Sequence, residues 1–157
     1  MRVNEKRLER QTNSLRKWSN AGCKGTLEAC TGFGKTYAAV MAIEALNKQQ
    51  PGQSTLIVVP TTHLRKQWSA QVKHLDNVTV SVINSAVKKE WDVNFLVLDE
   101  IHNYASAVFG TIFEKVKYSK ILGLTATITR QDGNDYLIRQ RAPIFDKVTL
   151  DEALREG

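Results

Sequence analysis

The stretch Ala29-Cys30-Thr31-Gly32-Phe33-Gly34-Lys35-Thr36 follows a short strand candidate, Thr26 to Ala29, and opens a segment of good helix formers, Lys35 to Lys48. A glycine-rich turn between a strand and a helix is the setting in which a chain can cradle phosphate. Gly32 and Gly34 can turn backbone N–H groups toward an anion without Cβ clashes. The helix N-terminus adds partial positive charge. Lys35 is spaced to reach the β- and γ-phosphates of a nucleoside triphosphate, and the Thr36 hydroxyl to hold Mg²⁺. The strict form of this pattern asks for glycine at position 29, where Ala29 stands. The competing reading is a glycine-rich turn that merely caps an ordinary helix.

Outward from this loop, strand-like and helix-like runs alternate. Residues 4–19 carry Leu8, Gln11, Leu15 and Trp18 at helical spacing. Pro51-Gly52 stops the helix after the loop. Thr55 to Val59 reads as a strand buried on both faces, and Pro60 ends it. Thr61 or Thr62 can cap a helix carrying Leu64, Trp68, Val72 and Leu75 along one side. Val78 to Ile83, Asn94 to Leu98 and Lys120 to Thr125 are further strands, Tyr104 to Lys117 reads as a helix, and 135–141 as a last helical turn or two. Strands separated by helices imply βαβ units, a mostly parallel sheet covered on both faces, and ligands at the carboxyl ends of the strands.

The strand ending at Leu98 runs into Asp99-Glu100-Ile101-His102. A carboxylate at that end can hold Mg²⁺ through its water shell, and its neighbour can orient or deprotonate an attacking water. Adjacent carboxylates behind an apolar strand are costly unless a cation uses them. Exposed turn residues are the alternative, which the upstream phosphate loop disfavours.

Composition bounds the function. The chain has 157 residues, enough for one domain spanning 1–157, with 42% hydrophobic and 24% charged residues, close to a globular average. The net charge is +6. Residues 1–24 hold Arg2, Lys6, Arg7, Arg10, Arg16, Lys17 and Lys24 against only Glu5 and Glu9, which fits a polyanionic partner or a merely solvated face. Cys23 and Cys30 give neither a disulfide framework nor metal-ligand spacing, and His63, His74 and His102 are scattered. No apolar run approaches the roughly 18 residues of a membrane helix, and Met1 to Arg10 lacks the apolar stretch of a secretory signal. A protein of the cytoplasm is the expectation.

The ordered set Ala-x-Thr-Gly-x-Gly-Lys-Thr, Asp-Glu-Ile-His and Gly123-Leu124-Thr125-Ala126-Thr127 resembles superfamily 2 helicases and translocases. It is most similar to the DExH group that includes type I and III restriction-enzyme motors and phage DNA helicases. In that group position 29 is often alanine. The stretch Leu56 to Trp68, with Pro60-Thr61-Thr62, Leu64 and Gln67, is similar to the family's motif Ia, and the resemblance spans about residues 8–133.

The resemblance implies a three-layer α/β RecA-like P-loop NTPase domain that uses ATP and Mg²⁺. Carried over residue by residue, it puts Thr31, Gly32, Phe33, Gly34, Lys35 and Thr36 on the triphosphate, Thr36 and Asp99 on Mg²⁺, and Glu100 on water. His102, Thr125 and Thr127 would couple the nucleotide site to nucleic-acid movement. Pro60, Thr61 and Thr62 would contact nucleic-acid phosphates, DNA rather than RNA. Gln11 looks like the family's adenine-reading glutamine, whose amide would bond adenine at N6 and N7; a solvated helix glutamine is the alternative. Trp68 could stack a base, but its spacing with Leu64 and Val72 favours the core. Arg130 could face phosphate, with solvent favoured, and Cys30 could make the site thiol-sensitive, with an inert small residue favoured.

The family's motor has two RecA-like lobes, the second supplying arginine fingers, and no residue after 133 resembles that second lobe. The capping box Thr149 to Glu152 opens a helix over 150–156 that looks cut short. The resemblance therefore implies the ATP-binding lobe of a DNA helicase or translocase, feeble alone and completed by a second lobe from a longer parent chain or another subunit, in a bacterial or phage-infected cell. The competing functions are a non-hydrolysing nucleic-acid-binding module and a small-molecule kinase. Intact Lys35, Asp99 and Glu100 oppose the first; the DExH tetrad and Thr125-Ala126-Thr127 oppose the second.

Overall fold

Each strand-like run bounded by glycine, proline or polar stops becomes a strand of one parallel sheet in the structure, a computed structural model that describes residues 2–30, 32–105, 109–126 and 136–149. The order is α1 (Arg2–Asn20), β1 (Lys24–Ala29), α2 (Lys35–Gln49), β2 (Thr55–Val59), α3 (Thr62–Val72), β3 (Val78–Val82), α4 (Ile83–Ala86), β4 (Trp91–Asp92), β5 (Phe95–Asp99), α5 (Ile112–Lys115), β6 (Val116–Lys117), β7 (Lys120–Thr125), α6 (Tyr136–Arg141) and β8 (Ile144–Val148). The main sheet runs β3-β2-β5-β7-β1-β8, every neighbouring pair parallel, and β4 and β6 form a two-stranded parallel patch.

The alternation of side chains along each strand divides the core in two. Ile57, Val59, Phe95, Val97, Leu122 and Leu124 face α1, α2 and α3, where Trp18, Ile43 and Trp68 meet them. Leu56, Val58, Leu96, Leu98 and Ile121 face the opposite layer, with Ile83, Ile101, Tyr104, Ile112 and Ile138. This is the expected three-layer α/β architecture. Complete burial of side chains such as Ile57 or Leu96 stabilises the fold by about 1.5–3 kcal/mol each. The Trp18 indole N–H donates to the Ile121 carbonyl at 2.9 Å, tying α1 to the sheet. Among the described residues, no helix is long and apolar enough to cross a membrane.

Two expectations need correction. Tyr104 to Lys117 does not form one helix: 3-10 turns at Ile101–Ala105 and Phe109–Thr111 lead into the single turn of α5, and Val116–Lys117 pairs with Trp91–Asp92 instead. Gly110 interrupts the pattern, and the apolar residues Tyr104, Ile112, Phe113 and Val116 are buried as a folded-back layer. The strand from Val78 ends at Val82, because Ile83 turns into α4 to bury its side chain against the sheet.

The sequence reading contains no counterpart of β8. This edge strand pairs with β1, and its Asp146 is buried, bonded by Arg10 at 2.7 and 3.0 Å, by Ser14 and by Lys17, all from α1. The turn at Asp132 to Asn134 and the helix over 150–156 lie outside the described residues.

Candidate nucleotide site at the carboxyl edge of the sheet

The loop after β1 reaches α2 through two left-handed glycines, Gly32 (φ 94°) and Gly34 (φ 86°). Gly34 is the N-cap of α2 and gives no side-chain cap, so side chains leave the first N–H groups of the helix available to an anion. The left-handed backbone of Gly34 favours glycine, and a Cβ there would lie 2.5 Å from the Gln11 amide nitrogen and displace it. The Phe33 ring is buried in the core, and its N–H donates to the Cys30 carbonyl at 3.2 Å. Lys35 folds back, its ammonium donating to the Ala29 carbonyl at 3.0 Å. Thr36, in the first turn of α2, is half-buried. Thr31 lies outside the described residues.

Gln11 is 2% exposed, which excludes the solvated alternative. Its amide nitrogen donates to the carbonyls of Phe33 (2.9 Å) and Gly34 (3.1 Å). Both amide hydrogens therefore serve the phosphate loop, and Oε1 is the atom left to face a base.

Asp99 ends β5, 7% exposed, beside β2 on one side and β7 on the other. Its Oδ2 accepts from the Trp68 indole N–H at 2.9 Å. Burial raises its carboxyl pKa above the ordinary value, and the Glu100 charge adds to this; the hydrogen bonds from Trp68 and the Glu100 backbone, and the Lys35 charge, work in the other direction. Beneath it the Tyr104 hydroxyl lies within hydrogen-bond reach of the Asp99 (2.9 Å) and Val58 (3.1 Å) carbonyls, joining the ends of β5 and β2. Burial pushes that hydroxyl's pKa up, so it remains a donor.

Glu100 turns the chain in a left-handed conformation (φ 53°), which costs a non-glycine residue about 1–3 kcal/mol. His102 lies 3.7 Å from the Glu100 carboxylate through Nε2, and its Nδ1 is 3.1 Å from the Thr125 hydroxyl at the end of β7. Glu100, His102 and Thr125 thus form a line along the sheet edge; Thr127 and Arg130 lie outside the described residues. Nearby, Gly123 makes room for the Ile101 side chain and the Thr26 hydroxyl, from which a Cβ would lie 2.5 and 2.6 Å.

Pro60, Thr61 and Thr62 follow β2 on the same edge, both threonines exposed. Thr61 is the helix cap: its hydroxyl oxygen accepts from the Leu64 N–H at 3.1 Å, which leaves the hydroxyl hydrogen to donate outward. Trp68 is 2% exposed and belongs to the core, not to a stacking surface. Its bond to Asp99 escaped the sequence reading, although a buried indole N–H always demands an acceptor and carboxylates stand at the neighbouring strand end. Half-buried Cys30 has its sulfur 3.7 Å from the Thr149 carbonyl.

The donor set suits Mg²⁺ carried by a nucleotide. Among the described residues, no group of three or more His, Cys, Asp or Glu side chains could enclose a metal. Asp99 and Thr36 offer one carboxylate and one hydroxyl, and Mg²⁺ completes such a pair with waters and substrate phosphates. A groove of about 540 Å³ lined by Gly34, Thr36, Tyr37, Leu64, Gln67 and Trp68 opens alongside.

With this geometry in hand, comparison with known proteins gives a family. The family described as "Type III restriction enzyme, res subunit" matches residues 2–94, more than half of the chain. The chain belongs to this family. Its fold and motifs are those of the N-terminal lobe of superfamily 2 helicases. Among its relatives, a candidate ATP-dependent RNA helicase of African swine fever virus is 33% identical over 136 residues, covering 69% of this chain and 26% of the relative. A DNA 3'-5' translocase of Sulfurisphaera tokodaii is 28% identical, covering 81% and 32%. The chain thus spans between a quarter and a third of these relatives' lengths. In fold, it matches the SWI2/SNF2 ATPase core of Sulfolobus solfataricus in complex with double-stranded DNA, with a TM-score of 0.71, 16% identity, and coverage of 87% of this chain and 35% of that one.

Proposed function

We propose that this res-family lobe binds Mg-ATP at the carboxyl edge of its sheet and, once a second RecA-like lobe closes over it, couples hydrolysis to movement along DNA. The observation that carries this is the convergence of Lys35, Asp99, Glu100 and the His102–Thr125 pair on one sheet edge. A pure binding module has no use for that set.

The N–H groups around Gly32 and Gly34 and at the start of α2 receive the phosphates. Gln11 holds this loop in shape from behind and offers Oε1 to the base. Lys35 exchanges the Ala29 carbonyl for the β- and γ-phosphate oxygens. Thr36 and Asp99 would hold Mg²⁺, which would supply positive charge to the phosphates. Glu100 orients the attacking water and accepts its proton as the bond from oxygen to Pγ forms and the bond to the β-γ bridging oxygen breaks. His102 and Thr125 pass the state of Glu100 to β7. The exposed hydroxyls of Thr61 and Thr62, beside Pro60, donate to backbone phosphates. The relatives' names include both an RNA helicase and a DNA translocase; DNA is the reading adopted here, in a bacterial or phage-infected cytoplasm.

An arginine finger is worth about 10³–10⁵ in rate, so this chain alone should bind nucleotide and turn it over feebly. The test is ATP hydrolysis with and without single- and double-stranded DNA and RNA, beside Lys35→Ala. Low turnover, raised by DNA and abolished in Lys35→Ala, is expected. Turnover that requires a small-molecule acceptor and ignores nucleic acid would overturn the reading.

A further inference from the structure

Trp68 sits 31 residues before Asp99 and on a different layer, yet its indole N–H donates to the Asp99 carboxylate at 2.9 Å, with both residues buried. An indole nitrogen is a donor only, so this bond has one direction and fixes one carboxylate oxygen. Of the eleven residues of α3, only Trp68 and Val72 are buried, so Trp68 is the main anchor of that helix on the sheet. The N-terminus of the same helix is capped by Thr61, on the proposed nucleic-acid face. From below, Tyr104 joins the backbones of Asp99 and Val58 and so steadies the strand ends that carry the two segments.

We propose that Trp68 is a positioning residue for the magnesium site: its indole N–H holds the Asp99 carboxylate in the orientation that metal-nucleotide requires and ties it to the helix that begins at Thr61. The role rests on the reading of Asp99 as the magnesium carboxylate. Trp68 acts through Asp99 and is distinct from the base-stacking and plain core roles a tryptophan here would otherwise have. Partners of this kind, which orient a metal ligand from behind, typically contribute about 10- to 100-fold to metal affinity.

Trp68→Phe keeps an aromatic ring in the core and removes the donor. The measurement is Mg²⁺ titration of ADP binding to the chain, followed by equilibrium fluorescence with a fluorescent ADP analogue, with parallel binding in EDTA. For Trp68→Phe the apparent Mg²⁺ affinity should fall about 10-fold, with metal-free ADP affinity within about twofold. Asp99→Ala should abolish the Mg²⁺ dependence. A Trp68→Phe chain with an unchanged Mg²⁺ titration overturns the positioning role, and so does equal loss with and without metal. A wild-type chain that binds no ADP at all overturns the underlying nucleotide reading, and the two failures are thereby distinct. Should Trp68→Phe not fold, the indole ¹H–¹⁵N resonance of wild-type Trp68 decides: it should move when Mg²⁺ is added to the ADP complex and stay fixed in Asp99→Ala. A resonance indifferent to Mg²⁺ in the wild type contradicts the proposal.

Discussion

At the scale of single residues, the site is defined by side chains placed at a cost to the fold. Asp99 is the plainest case. Its carboxyl pKa is raised by burial, so the folded state binds a proton more readily than the unfolded chain. Stability from this group is greatest at acid pH and falls as pH rises above its ordinary value near 3.8 toward the raised folded value. At pH 7 without metal, ionised Asp99 therefore opposes folding. Asn in its place can still accept the Trp68 N–H without carrying charge. Asp99→Asn should accordingly raise the thermal unfolding midpoint at pH 7 in EDTA, by an amount that shrinks toward pH 4, while eliminating Mg-ATP turnover. A midpoint lowered by the substitution would mean that Asp99 is held by structure alone. Glu100 also bears strain, in its left-handed backbone, and its carboxylate stays partly exposed. A glutamate so placed can meet a water.

At the scale of elements, the placement of α1 depends on β8. Asp146 accepts from Arg10, Ser14 and Lys17. Burial raises its pKa, but these three donors outweigh burial and hold it below the ordinary carboxylate range. The stability it contributes is present above pH 3.8 and is lost as pH falls through the lowered value. Asp146→Ala takes the carboxylate from a guanidinium that is 9% exposed and still bonds Ser14 and the Lys147 carbonyl, so the loss should be about 1.5–3 kcal/mol, the scale of a hydrogen bond to a charged group. Chemical denaturation should register that loss. The substitution should also weaken nucleotide binding, because α1 carries Gln11 to the phosphate loop; intact binding would separate the clamp from the site.

This clamp marks where the sequence was readable and where it was not. The glycine-rich loop and the Asp99-Glu100 strand end stand out as candidates because their residues are local in sequence. β2, β5 and β7 do so because they are mainly apolar runs between stops, and β1, which carries Lys24 and Glu28, because a glycine-rich turn follows it. Ile144 to Val148 carries a charge at its centre, and the partner that permits its burial is 136 residues away. Residues 104–117 hold enough apolar side chains for a helix, but tertiary burial breaks them into short turns. The bonds from Trp68 to Asp99 and from Gln11 to the loop carbonyls likewise join distant segments, so residue type announced a need for partners without naming them.

At the scale of the whole molecule, a six-stranded parallel sheet brings every proposed functional segment among the described residues to one edge. β1 ends at the phosphate loop, β2 at the Pro60-Thr61-Thr62 face, β5 at Asp99-Glu100 and β7 at Thr125. Mg-ATP binding at this edge is proposed to depend on Lys35. The most direct measurement is equilibrium binding of ATP to the chain in Mg²⁺, wild type against Lys35→Ala, with folding of both verified by circular dichroism. Wild-type binding should be saturable and weakened at least about 10-fold in Lys35→Ala, as expected for loss of a charge-assisted contact. Equal affinity in the two chains, or no binding by the wild type, would contradict the proposal.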